Sequence, residues 1–495
     1  MKTSKNITVI GAGFSGLAAS ALLAKQGHNV TLLEKNDQTG GRCREFKKDG
    51  FMFDMGPSWY WMPDVFERYF ALFNKSVTDF YQLKRLDPSY RVFFKDNVSM
   101  DIPSSLQGIY DLFEQHEKGS SAKLKKFLAS AEYKYEKAMS EFVFKPGKSL
   151  TEFAKWSVVS SIFKIKLFSP ISKEIRSNFK NPYLQQLLEF PVLFLGAKPE
   201  ETPALYSLMN YADMVLGTWY PMGGMSKIPQ AMTQLALEQG VNIQLNQTVT
   251  SFTYHDKLIS GVETKNGSFK TDAVVGAADY HHIEKEFLKD KATYHEAYWE
   301  KRKLAPSCLI YYIGVSKKIK NLLHHNLFFD ADFNKHASEI YDKPKWPENP
   351  LFYVCAPSVT DESVAPAGHE NLFILIPVST NIDETPEIKE HYFNLVIDRI
   401  EKQTGEKFKD QIIVKESFAK KDFIQDYNSF KGNAYGLANT LRQTAILKPK
   451  MHNKSIKNLV FAGQLTVPGP GVPPALISGE IAAKEINNYL EKFSK

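Results

Sequence analysis

The first forty residues constrain this chain more than any other stretch. Ile7 to Ile10 (ITVI) reads as a short buried strand. Gly11-Ala12-Gly13-Phe14-Ser15-Gly16 follows and fits G-x-G-x-x-G. Leu17 to Gln26 reads as a helix that Gly27 ends, and Asn29 to Glu34 (NVTLLE) as a second strand. Glu34 stands 23 residues after Gly11. A bare glycine triplet often serves packing alone. Strand, glycine loop, helix, strand and terminal acid in this order specify a dinucleotide-binding βαβ unit. Gly11 permits the tight turn, Gly13 lets the backbone approach a pyrophosphate, and Gly16 lets helix and strand pack closely. The helix start offers unpaired N–H groups to phosphate. A basic start and the uncharged run Asn6–Ala24 also resemble a secretory leader. The glycine spacing accounts for the same residues more fully.

Glu34 can accept hydrogen bonds from a ribose diol and repels a 2′-phosphate, which favours FAD or NAD over NADP. Gly40-Gly41-Arg42 follows soon after the second strand. A guanidinium donates two hydrogen bonds to an oxyanion, so Arg42 suits a second phosphate contact, or else it is a solvated surface arginine. FAD, bound extended, would use that contact, and an NAD domain has no general need of it.

The order GxGxxG, terminal Glu, GGR resembles the FAD-binding start of the amine oxidase and carotenoid desaturase superfamily. FDMGPSWYWMPDVFERYF (Phe53–Phe70), LGTWYPMGGMSKIPQAM (Leu216–Met232), VNIQLNQTVTSF (Val241–Phe252), TDAVVGAADYHH (Thr271–His282) and the tail NLVFAGQLTVPGPGVPPALISGEIAA resemble successive segments of bacterial-type phytoene desaturases. The resemblance covers nearly the whole chain, and several segments look closest to the flavobacterial enzymes. It implies an FAD-dependent desaturase of a C40 polyene in carotenoid biosynthesis. It also implies a cofactor-binding set of Gly11, Ala12, Gly13, Phe14, Ser15, Gly16, Glu34, Lys35, Gly41, Arg42, Gly56, Pro57, Gly224, Met225, Val249, Gly463, Gly471, Val472 and Pro473. Val249 matches the residue whose backbone meets the adenine.

The tail takes its sense from this. Asn458 to Ala462 reads as a last parallel strand, with Gly463 at the edge where ligands bind. Four prolines and four glycines between Gly463 and Gly479 stiffen the loop and strip it of side chains where a flat ring passes. Pro473 and Pro474 suit a helix start, whose positive end would face the isoalloxazine. Taken alone, a rigid surface turn explains the prolines equally well.

The expected architecture is α/β, α+β overall. A Rossmann-like FAD-binding domain is discontinuous over 1–75, 220–290 and 450–495. A mixed-sheet substrate domain covers 76–140 and 291–449, and a helical lid or membrane-contact region covers 141–219. Ala305–Val315, Asn371–Ser379, Leu323–Phe329 and Leu351–Ser358 read as substrate-domain strands. Pro386–Thr404 reads as an amphipathic helix with Thr385 as its N-cap. Asn266-Gly267 reads as a hairpin turn. Phe153 to Lys180 interleaves six basic residues with aromatic and aliphatic ones against the single acid Glu174. That pattern suits an interfacial membrane contact or a helical lid.

A chain of 495 residues implies two or three domains. Net charge +7 mildly favours an anionic surface such as a membrane, and no nucleic acid partner is expected. The expected location is cytoplasmic, peripheral on the inner face of the cell membrane, with oxygen or a quinone as electron acceptor. Cys43, Cys308 and Cys355 show no metal spacing, and His281-His282 and His324-His325 read as structural or solvent-facing, so no metal is expected. Tyr211, Asp213 and Trp219 are placed to line the substrate tunnel or to pack the core. No side chain can take a hydride, so a flavin must. The cation left on the polyene is delocalised, and no catalytic base is assigned. Desaturation of a hydroxylated or monocyclic carotenoid, carotenoid isomerisation, flavin amine oxidation and a prenyl-binding chaperone of the same fold are the alternatives.

Overall fold

The computed structural model describes residues 4–148, 169–444 and 447–493. Its first sheet has five strands in the order Leu459–Phe461, Ala273–Gly276, Asn6–Ile10, Asn29–Leu33, Asn242–Gln244. Every neighbouring pair is parallel. A parallel sheet is covered on both faces, and accordingly Ala273–Gly276 and Leu459–Phe461 are buried throughout. The first helix spans Phe14–Lys25, starting three residues before the expected Leu17, because the last residues of the glycine loop already form its first turn. The final helix spans Val472–Phe493 and crosses the first at close range. A Cβ on Gly479 would lie 2.2 Å from the Ser15 carbonyl oxygen, so only glycine allows this crossing.

The second sheet has seven strands: Ile412–Phe418, Ser307–Val315, Glu370–Val378, Phe352–Cys355, His325–Phe329, Tyr90–Phe94 and Ser99–Ile102. Its pairs are antiparallel except Tyr90–Phe94 with His325–Phe329. All nine residues of Ser307–Val315 are buried, but they serve two cores. Leu309, Tyr311 and Ile313 pack with Phe393, Val396 and Ile400 of the helix Pro386–Thr404. Cys308, Ile310 and Tyr312 face the other way, into the core shared with the first sheet. This is the two-residue period of a strand with both faces covered. The helix has its expected bounds, and the Thr385 hydroxyl accepts the Ile388 N–H at 3.3 Å.

A meander of Val249–His255, Leu258–Thr264 and Gly267–Lys270 is inserted between two strands of the first sheet, Asn242–Gln244 and Ala273–Gly276. Thr264 pairs with Gly267, so its turn is Lys265-Asn266, one residue earlier than expected. Three short helices, Ile171–Asn178, Pro182–Glu189 and Leu208–Met214, lie in the central part of the chain. Most of the basic, apolar run from Phe153 lies outside the described residues. Among the described residues no helix is long and apolar enough to cross a membrane.

Candidate active site

One continuous cavity is lined by the carboxyl ends of the parallel strands and by the inner face of the second sheet. At its polar end Ile10 runs into Gly11, whose φ of +96° and neighbour Ala278 N, 3.0 Å from any Cβ, both demand glycine. Gly13 caps the first helix, and nothing lies within 4 Å of where its Cβ would stand. That open space in front of unpaired helical N–H groups is a cradle for an anion. Gly41 closes one side of it, since its Cβ would meet the Gly13 Cα at 3.2 Å.

Glu34 stands beside the cradle. Its Oε2 accepts the Ala12 N–H at 2.7 Å and its Oε1 the Asn36 N–H at 2.9 Å. Burial pushes its carboxyl up, and these two donors pull the other way. Each oxygen keeps acceptor capacity, and Glu34 lines the cavity. Arg42 is held over the Tyr427 ring, 4.9 Å from its centroid. Its Nη2 donates to Ser429 Oγ at 3.1 Å and to the Asn433 carbonyl at 3.3 Å. Its Nε is buried without a hydrogen-bond partner, and burial lowers its pKa. A buried cationic donor with one N–H unspent fits a phosphate. Glycine cradle, acid and unspent guanidinium together fit the pyrophosphate and ribose of FAD.

The cavity's other arm is apolar. Trp59, Trp61 and Phe190 form one wall, and Ile310, Leu327, Phe329 and Tyr353 of the second sheet form another. Between the arms the final helix begins. Pro470, Gly471, Val472, Pro473 and Pro474 all line the cavity, so its positive end is aimed inward. Gly463 opens the same loop, and its N–H donates to Ser478 Oγ at 2.9 Å.

Gly11, Gly13, Phe14, Ser15, Glu34, Lys35, Gly41, Arg42, Gly56, Pro57, Val249, Gly463, Gly471, Val472 and Pro473 line this one cavity. Ala12 and Gly16 stand behind it, the first holding Glu34, the second packed against the Gly11 carbonyl. Gly224 and Met225 depart from expectation, because neither lines the cavity. The Met225 and Ser226 N–H groups are spent on Asp54, at 2.8 and 3.0 Å, so this glycine turn cradles a carboxylate of the protein itself. Tyr211, Asp213 and Trp219 also lie off the cavity. Asp213 accepts from the Tyr90 hydroxyl at 2.8 Å, and burial pushes its pKa up to about 7.

The histidine pairs, read as structural or solvent-facing, are mostly buried. His281 and His282 sit in a helical turn capped by Asp279, and His282 lines the cavity. His324 immediately precedes the strand that His325 begins. Both are buried, and with Cys355 they form a group whose ligand atoms lie within 4.8 Å of one another. Tyr427, Ser429 and Asn433, which hold Arg42, carry no local signal in the sequence. The aromatic wall Trp59–Trp61 lies in the quoted segment PSWYW.

The chain matches the family described as flavin containing amine oxidoreductase over residues 14–487. The carotenoid 3,4-desaturase of Haloarcula japonica is 40% identical over 487 residues, 98% of each chain. The zeta-carotene-forming phytoene desaturase of Myxococcus xanthus is 32% identical over 493 residues, 98% of this chain and 94% of that one. Among solved structures, cyclohexylamine oxidase from Brevibacterium oxydans superposes with a TM-score of 0.58 at 14% identity, covering 100% of both chains. Putrescine oxidase bound to putrescine gives 0.62 at 11% identity, again over 100% of both chains. The last two are likenesses of fold.

Proposed function

Because the chain belongs to the flavin-containing amine oxidoreductases, among their carotenoid desaturases, we propose that it introduces conjugated double bonds into a long polyene hydrocarbon with FAD as its cofactor. The observation that carries this reading is the continuity of a dinucleotide cradle with an aromatic, apolar chamber. FAD, when bound, supplies the two-electron acceptor for a hydride leaving a C–H bond. The chain's own residues bind, align and exclude water. The N–H groups at Gly13–Ser15 and the Arg42 guanidinium would hold the pyrophosphate, Glu34 would take the ribose diol, and Val249 would meet the adenine. Trp59, Phe190, Leu327 and Phe329 hold the polyene extended and keep the site dry. No residue is assigned as a base, since a delocalised allylic cation loses its proton without a strong one.

Three finer readings belong to the same proposal. The substrate is of the 3,4-desaturase type, which the 40% identity to that relative favours over the 32% to phytoene desaturases. The protein works at a membrane surface that stores the substrate and passes electrons to oxygen or a quinone. The segments 1–75, 220–290 and 450–495 act as one FAD-binding unit, supported by the five parallel strands drawn from them.

The test is product analysis. FAD-loaded protein is incubated with vesicles carrying phytoene, or in parallel a hydroxylated acyclic carotene, and the extracts are separated by chromatography. New, longer chromophores are expected, with the hydroxylated substrate turned over faster. Unchanged carotenoids, together with oxidation of a primary amine offered in a separate incubation, would replace the reading with amine oxidation.

A further inference from the structure

His325 and Cys355 come from two adjacent strands of the second sheet, and His324 immediately precedes the first of them. His325 and Cys355 are direct cross-strand partners, and such pairs share a face of the sheet. The Ala356 N–H donates to the His324 carbonyl at 2.8 Å, which locks the preceding residue beside them. All three are buried, with relative exposures of 4%, 0% and 4%. One nitrogen of each imidazole and the Cys355 sulfur lie within 4.8 Å of one another.

The outer hydrogen bonds are already in place. His324 Nδ1 pairs with Thr360 Oγ1 at 2.9 Å, and His325 Nδ1 with the Tyr353 hydroxyl at 2.6 Å. Both Nε2 atoms are buried without a hydrogen-bond partner. A ring nitrogen fixed by a neighbour leaves the other as a lone-pair donor, which is how metal-binding imidazoles are oriented. Two orphaned nitrogens lie beside a thiol, and a buried polar atom left unpaired is costly.

We propose that His324, His325 and Cys355 form a buried binding site for a soft d10 cation, monovalent copper. Two imidazoles and a thiolate suit Cu(I) and Zn(II). Three ligands without a fourth suit copper better, since structural zinc is four-coordinate. Binding forms two Cu–N bonds and one Cu–S bond and releases the Cys355 thiol proton to solvent. The ion would tie the two strands together behind the chamber wall. Trp59 stacks on His325 with ring centroids 4.0 Å apart, and both Trp59 and Tyr353 line the cavity.

The experiment loads the FAD-bound protein anaerobically with Cu(I) held by a competing chelator, and in parallel with Zn(II). After desalting, metal is counted by mass spectrometry. The site predicts about one copper per chain, with a sulfur shell near 2.3 Å in the X-ray absorption spectrum. Cys355→Ser and His324→Asn should each retain less than about a tenth as much while keeping FAD. Tyr353→Phe, which removes only the Nδ1 partner, should weaken binding about 10-fold. Wild-type protein that retains no copper, or retains zinc in its place, overturns the assignment. So does equal retention in the variants. Should the variants fail to fold, the wild-type absorption spectrum decides, and copper without a sulfur neighbour overturns the site.

Discussion

Gly13 and Gly16 stand three residues apart in one motif and meet opposite surroundings. A Cβ on Gly13 meets nothing within 4 Å, whereas one on Gly16 would lie 1.8 Å from the Gly11 carbonyl oxygen. Gly13→Ala should therefore fold with an unchanged melting temperature in the absence of cofactor and lose FAD affinity at least about 10-fold. Gly16→Ala should cost about 1–3 kcal/mol of stability as well. Calorimetry and flavin titration separate the two, and equal FAD affinity in Gly13→Ala would remove the phosphate from its assigned place. Asp213 offers a pH test. Burial raises its folded pKa to about 7 from an ordinary 3.8. The unfolded chain loses this proton first, so the stabilisation is full below about pH 4 and is lost as pH rises toward 7. Asp213→Asn escapes that loss. Relative to wild type, its stability in urea titrations should rise by up to about 4 kcal/mol between pH 4 and 8. A flat difference would mean the carboxyl is not held protonated.

Elements carry the same logic at longer range. The strand His325–Phe329 points Leu327 and Phe329 into the cavity and Phe328 into the opposite core, where it stacks on Phe352 at 4.3 Å. Leu327→Trp should fill the chamber, leaving FAD content unchanged and cutting desaturation about 10-fold or more. Phe328→Ala should cost about 3–5 kcal/mol of stability instead. Turnover per bound flavin and urea midpoints distinguish them, and a reversed outcome would invert the assigned faces. These strands were legible in the sequence because alternation and turn residues are local. So was the whole βαβ unit, whose parts sit within about thirty residues. The partners of Arg42 were not legible, since Ser429 and Asn433 meet it only after the chain has returned from nearly four hundred residues away. Gly224-Met225, which the resemblance placed among the cofactor-binding residues, is a related case. A glycine pair before a helix signals that an anion is held, and only the fold shows that the anion is Asp54. The His324–His325–Cys355 cluster depends on the pairing of 325 with 355, which no local pattern announces.

At the scale of the whole molecule, two helix starts and two sheets converge on one cavity, and the proposed function has a polyene reach it from a bilayer. The chain carries a net charge of +7. Association with anionic vesicles should be measurable by sedimentation and should fall away as salt shortens the Debye length toward about 3 Å at 1 M. Binding indifferent to both lipid charge and salt would leave the basic residues without a role in it. The central claim is tested most directly by an anaerobic single turnover. FAD-loaded protein is mixed with carotenoid vesicles in the absence of any electron acceptor, and product and flavin colour are followed together. The account predicts one new carbon–carbon double bond for each FAD bleached. Persistent yellow colour with every carotenoid offered, or a chain that takes up no FAD, would contradict it.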